Sequence, residues 1–403
     1  MKKLLQVSVV VFLLLALSAG ITVAFWAADK AEEESNRGAP VVRLVKPDGE
    51  NPYLTKTYAD GSLCNEEFKV ITFADPHFKG DIESTGDAVS LTLIENTILQ
   101  ENPDLLVFCG DIAVGPLGAQ AARNLGDLLE QHNQYWGYVL GNHDAEDERG
   151  PTRAELAAIF EEYEYCVVSS VEGLSGEGNC IVNVKNAYGT IIQSLVFIDS
   201  GNYLTEEICA EYEFEYQNGY DFIKYDQIEW YKSEMRAIER ENGRMPNSIL
   251  FIHIPLKEYR TAYNEAMDNE TVIYGARREN ECDSPYNTGM FDAILEVGST
   301  KAVVCGHDHI NDYCVDYKGV KLLYSHSTSY NSYNLRKNPL FIIAYQMGGE
   351  AQFNDGHTEF MIDGDGKMTI TPIFNQDNPS LFDGLSEEHR KAIFLDETLP
   401  PQE

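Results

Sequence analysis

Apolar residues along the chain follow two rhythms. Short, mostly apolar runs occupy Phe68–Ala74, Leu105–Cys109, Tyr135–Leu140, Ser248–His253 and Lys301–Cys305. Runs of that length, rich in Val, Ile and Phe, predict buried strands. Between them the spacing turns helical. Ala88, Leu91, Ile94 and Ile98 recur at helical intervals as far as Pro103, and Ala119–His132, Asp226–Asn242 and Asn287–Val297 predict further helices. Thr152-Arg-Ala-Glu155 has the form of a capping box and opens one more.

Cys180–Val184 and Thr190–Ile198 lie among Gly-rich turns and predict hairpins, read here as an all-strand insertion. Val315–Ile373 reads as several antiparallel strands, and Glu387–Phe394 as a terminal helix. This alternation, with its strand-rich end, predicts an α/β sandwich of mixed sheets. In such folds ligands gather beyond the carboxyl ends of the strands, so the residues just after each strand are the place to look.

Length and composition set the frame. The 403 residues, 43% of them hydrophobic, are ample for a large core. Residues 1–28 open with Lys2 and Lys3 before the apolar run Leu4–Ala24, which reads as an export signal or an uncleaved N-terminal membrane anchor. Either places the protein outside the cytoplasm, secreted or anchored. Residues 29–53 read as a polar linker, 54–375 as the domain and 376–403 as a C-terminal tail. The net charge of −35 sets up a field that repels polyanions, which argues against nucleic acid as a stable partner. A local cationic metal site can still take one small phosphorylated substrate. Of the eight cysteines, Cys109 and Cys305 sit in strand runs and are expected as buried thiols, whereas Cys282 and Cys314 are the favoured candidates for a bridge.

The strand ends carry the chemistry. Asp75-Pro76-His77 follows the first strand, Gly110-Asp111 the second and Gly141-Asn142-His143-Asp144 the third; His253 and Gly306-His307-Asp308-His309 follow two more. Each piece alone is ordinary turn chemistry or a core histidine. Five in one order, each after its own strand, point to a site. Mixed carboxylate and imidazole donors suit Fe, Mn or Zn. Asp111 could bridge two such ions with its two oxygens, and water held between them would ionise near neutral pH to become the nucleophile.

These blocks resemble the calcineurin-like metallophosphoesterases, over about Phe68–Asp312. Ile198-Asp-Ser-Gly201, Gly219–Lys224, His253-Ile-Pro-Leu256 and Asn287-Thr-Gly289 further resemble the purple-acid-phosphatase-related branch. The resemblance implies a four-layer αββα sandwich with two mixed β-sheets and a dinuclear metal centre. It implies Asp75, His77, Asp111 and His309 on one ion, and Asp111, Asn142, His253 and His307 on the other. His143 would stabilise the phosphorus centre or protonate the leaving oxygen, and Asp144 would orient it. Val114 stands where coloured members carry an iron-binding tyrosine, so a colourless protein is expected. The function so implied is hydrolysis of phosphate esters, foremost monoesters. A phosphodiesterase acting on nucleotides or glycerophosphodiesters is the alternative, and a non-catalytic metal-bound binding protein a third reading. His326, Tyr220 and Tyr259 are weaker candidates for the substrate site.

Overall fold

The computed structural model describes residues 39–62, 64–337 and 353–393. The expected signal or anchor and the last residues of the tail lie outside them. Among the described residues no helix is long and apolar enough to cross a membrane.

The apolar runs become two sheets. Five strands, ordered β13 (Met368–Phe374), β12 (Gly356–Ile362), β3 (Phe68–Phe73), β4 (Leu105–Cys109) and β5 (Trp136–Val139), form one. Within it β3, β4 and β5 run parallel, and β12 joins β3 antiparallel. The other has eight strands, ordered β1 (Val41–Val45), β2 (Tyr53–Thr57), β6 (Cys180–Lys185), β7 (Ile191–Phe197), β8 (Asn247–Phe251), β9 (Thr300–Cys305), β11 (Val320–Tyr324) and β10 (Cys314–Tyr317). Here β7, β8, β9 and β11 run parallel.

Alternation along the eight-stranded sheet shows how the layers stack. Val182, Leu195, Phe197, Ile249, Phe251 and Val304 join one core with Phe73, Phe108 and Trp136 of the other sheet. That core continues into α2 (Gly118–Gln131) and α3 (Arg153–Glu161). Their sequence neighbours Ile181, Val196, Ile198, Leu250, Ile252 and Val303 face the opposite way, onto α5 (Tyr225–Asn242), α6 (Glu258–Asp268) and α7 (Met290–Val297). A period of two with both faces apolar means a sheet covered on both sides. The molecule is therefore a four-layer αββα sandwich with two mixed sheets, as expected.

Three details differ from the sequence reading. The segment expected as a linker contains β1, which pairs antiparallel with β2 at the sheet edge; its five residues are partly exposed, as an edge strand allows, so burial patterning is faint. The expected insertion is no insertion: β6 and β7 are interior strands, and β7 hydrogen-bonds β8 in parallel. The expected tail docks, with Leu381, Phe382, Leu385 and Ile393 packing on Val89 and Leu93 of α1 (Thr85–Glu101). Two further helices, α4 (Glu206–Glu211) and α6, had no clear signal in the sequence.

Candidate metal centre

The strand order brings the five motifs to one place. Beyond β3 and β4 the parallel pairing continues into the loops. Asp75 N–H donates to the Gly110 carbonyl at 3.1 Å, and His77 N–H to that of Asp111 at 2.9 Å. The exit of β3 is also tied to the chain after β11, where Ala74 N–H donates to the His326 carbonyl at 3.0 Å. Gly306 N–H donates to the His253 carbonyl at 3.2 Å. Loops from both sheets thus share one floor.

The turns that aim the side chains are strained. Asp75, His77, Asp111 and His307 have φ of 53°, 51°, 51° and 79°. Left-handed backbone is uncommon outside glycine, and where several such residues cluster they mark a functional site. The glycines leave room as well as bend. A Cβ on Gly110 would lie 2.2 Å from His253 Nδ1, and one on Gly141 would lie 2.2 Å from Asp111 Oδ1.

Two donor sets result. Ligand atoms of Asp75, His77, Asp111 and His309 lie within 4.8 Å of one another, as do those of Asp111, His253 and His307. All six residues are buried, and Asp111 belongs to both sets. The Asn142 Oδ1 is 3.1 Å from His253 Nε2, beside the second set. Around Asp111 Oδ2, His253 Nε2 stands at 3.3 Å and His77 Nε2 at 3.4 Å. The Nε2 atoms of His77 and His309 face each other at 3.1 Å.

Hydrogen bonds on the far sides of the rings set their tautomers. His253 Nδ1 donates to the Cys109 carbonyl at 2.8 Å, and His309 Nδ1 to the Tyr333 carbonyl at 3.0 Å. Each ring can therefore turn an Nε2 lone pair inward, the arrangement that metal-binding imidazoles use. Asp111 Oδ2 and His307 Nε2 are buried with no hydrogen-bond partner. Buried carboxylate and imidazole donors converging here, with Asp111 Oδ2 and His307 Nε2 left unpartnered, form a cluster that could hold metal cations.

Electrostatics agree. Burial, reinforced by Asp111, raises the Asp75 carboxyl well above the usual range. Asp111 is held well below it, because the His253 and His77 imidazoles outweigh burial. His253 rises to about 9 against its own burial, drawn up by Asp111 and Asp75, while burial and the neighbouring His77 lower His309 to about 3. The carboxylates draw positive charge into a site that cannot seat a proton on every ring.

His143 stands at the rim, its ring centroid 5.3 Å from that of His77. Its backbone N–H donates to Asp111 Oδ1 at 2.8 Å. One expected role is corrected here. Asp144 does not orient His143: its buried carboxylate accepts from Ala113 N–H at 2.7 Å and Gly141 N–H at 2.8 Å, so it holds the two loops together. The His143 Nδ1 is bonded to Glu146. The turn sends side chain 144 under the loop and side chain 146 over it, a choice that residue types do not reveal.

Further residues support the site, some from the quoted motifs and some, such as Tyr333, from outside them. Asp199, in the Ile198–Gly201 motif, pairs with Arg153 at 2.6 Å, and Arg153 also caps the Gly141 carbonyl. Ser200 Oγ accepts from Ile254 N–H at 2.9 Å and His253 N–H at 3.3 Å, which places His253. Tyr333 stacks on His309 at 4.3 Å, and Tyr220 meets His307 edge-on at 4.3 Å. Tyr259 is a core residue whose hydroxyl donates to the Val303 carbonyl at 2.8 Å. His326 is also core, fully buried beside Thr358. The eight cysteines are free: Cys282 is exposed beside Asp308, Cys314 is buried in β10, and the bridge expected between them is not formed.

Comparison with known proteins places this geometry in a family. A model of the calcineurin-like phosphoesterases matches residues 68–311. "Probable inactive purple acid phosphatase 14" of Arabidopsis thaliana is 27% identical over 300 residues, 66% of this chain and 71% of that protein. "Phosphatase DCR2" of Saccharomyces cerevisiae is 28% identical over 274 residues, 62% of this chain and 45% of that protein. Among solved structures, a dimetal phosphatase from Danio rerio aligns with a TM-score of 0.46 and 13% identity, covering 76% of this chain and 99% of that one.

Proposed function

We propose, from the premise that the chain belongs to the calcineurin-like phosphoesterase family, that it is an exported, metal-dependent phosphomonoesterase. The observation that carries the proposal is the pair of buried donor sets sharing Asp111, with His143 beside them and in neither. Asp75, His77, Asp111 and His309 would hold one ion; Asp111, Asn142, His253 and His307 would hold the other. Fe, Mn and Zn all suit these donors. Bound there, the ions would supply charge for the phosphate oxygens and a nucleophile drawn from water near neutral pH.

The chain's own residues supply the rest. With Nδ1 engaged by Glu146, the Nε2 of His143 is the atom left to hold a proton and pass it to the leaving oxygen. Burial of the donor sets excludes bulk water, which strengthens every charge interaction at phosphorus. The substrate is a small phosphorylated molecule, and nucleic acid is disfavoured by the −35 net charge. Export is supported by Lys2, Lys3 and the apolar run after them.

The names of relatives such as the Arabidopsis protein, "probable inactive", favour a second reading: a metal-bound protein without turnover. One experiment separates the two. Hydrolysis of p-nitrophenyl phosphate and of its bis ester is measured with added Mn, Fe or Zn, alongside metal binding. The monoester should be preferred, and His143→Ala should bind metal normally while losing on the order of a hundredfold or more in turnover. Full metal loading without turnover would establish the second reading, and preference for the bis ester would make the protein a diesterase.

A further inference from the structure

We infer that Tyr203 is a positioning residue that sets both the amide of Asn142 and the proton-bearing imidazole of His143. The inference rests on the phosphoesterase reading above for its kinetic half, and on metal binding alone for the other half. Tyr203 lies outside every motif and enters from the eight-stranded sheet, in the loop after β7. Its partners lie in the loop after β5, in the other sheet. Asn142 Nδ2 donates to the Tyr203 hydroxyl at 2.9 Å. That hydroxyl donates its single proton to Glu146 Oε1 at 3.0 Å. The other oxygen of Glu146 accepts from His143 Nδ1.

The direction of each bond follows from what each group can give. An ionised glutamate only accepts, so both the phenol and His143 Nδ1 must donate to it. The phenol has then spent its proton and must accept from Asn142, which only the amide nitrogen can satisfy. Asn142 Oδ1 is thereby turned toward His253 Nε2 at 3.1 Å and the second donor set. His143 is thereby left with its free nitrogen, Nε2, for the substrate. A flipped amide would aim N–H groups at the metal position and leave Glu146 without one donor. One hydroxyl therefore sets the amide of a ligand and, by tethering Glu146, holds in place the carboxylate that orients His143.

The ring itself is anchored. Tyr203 pairs with Tyr220 across an antiparallel bridge, and their rings stack at 5.6 Å with a 28° interplanar angle. Tyr203→Phe should keep that packing and remove only the hydroxyl. The test titrates metal-free full-length protein with Mn2+ by calorimetry, then measures kcat and KM for p-nitrophenyl phosphate. For Tyr203→Phe we expect about 10–100-fold weaker binding of one of two ions, as for other lost supports of metal ligands. At saturating metal kcat should fall roughly tenfold with KM little changed. Glu146→Gln should lower kcat while leaving both affinities intact, because it disturbs His143 and spares the Tyr203–Asn142 bond. The melting temperature of metal-free Tyr203→Phe should match wild type. Wild-type metal affinity in Tyr203→Phe would overturn the inference, and so would two variants with the same effects. A wild-type protein that binds metal without turnover would defeat the phosphoesterase reading, and the calorimetric comparison would still decide the role of Tyr203.

Discussion

Asp75, His77, Asp111 and His307 stand on left-handed backbone that costs each of them roughly 1–3 kcal/mol. A fold retains such strain where the surroundings over-determine it, and here the surroundings are each other's backbones and a buried carboxylate. At this scale the sequence was informative about donors and silent about supports. The seven proposed ligands could be picked out because each follows an apolar strand, and strand ends converge. Asp144 and Glu146 could not be told apart, because only the path of one turn decides which carboxylate reaches His143. Tyr203 had no signal at all, since its partners come from the other sheet.

A buried histidine away from the site gives a residue-level prediction. His357, on β12, is lowered to about 3 by burial, and neither ring nitrogen has a hydrogen-bond partner. Its folded value lies below the unfolded value near 6.5, so the unfolded chain binds the proton first. Stability is thus complete above pH 6.5 and is lost as pH falls toward 3, by roughly 1.4 kcal/mol per unit. Replacing the orphaned ring with an apolar side chain should remove that slope. Urea unfolding at pH 7 and pH 5 should show His357→Leu losing roughly 2 kcal/mol less than wild type. Equal losses in the two proteins would place a charged or solvated ring at that position.

At the scale of elements, the strands that carry the site were legible almost to the residue, since they are mostly apolar and end in glycine or polar turns. β4 spans Leu105–Cys109, as its sequence predicts. The capping box at Thr152 and Glu155 is formed in full at the start of α3. The terminal helix was legible, at Glu387–Ala392, but the sheet edge and the docking of the tail were not, because their burial depends on what they meet. β1 becomes a strand by pairing with β2, and the segment after β13 folds because α1 offers Val89 and Leu93. Asn96 fastens it further, donating to the carbonyls of Leu381 at 2.8 Å and Asp383 at 2.9 Å. Truncation before Pro379 should therefore destabilise the domain by on the order of 3–5 kcal/mol, read from urea unfolding. An unchanged midpoint would show that this segment is dispensable.

For the whole molecule, the mixed sandwich was predictable from strand–helix alternation, whereas the division of strands between two sheets was not. That division matters, because the site is made where the sheets meet. The five-stranded sheet brings Asp75, His77, Asp111, Asn142 and His143, and the eight-stranded sheet brings His253, His307 and His309. A chain of net charge −35 places these donors at that junction, where bound metal cations would reverse the local sign, as the proposed phosphate chemistry requires. The most direct test of this account is anomalous diffraction from crystals of the protein grown with Mn2+. Two peaks are expected, roughly 3.5–4 Å apart, flanking Asp111, one beside His77 and His309 and the other beside Asn142, His253 and His307. A single peak, or peaks lying away from these side chains, would contradict it.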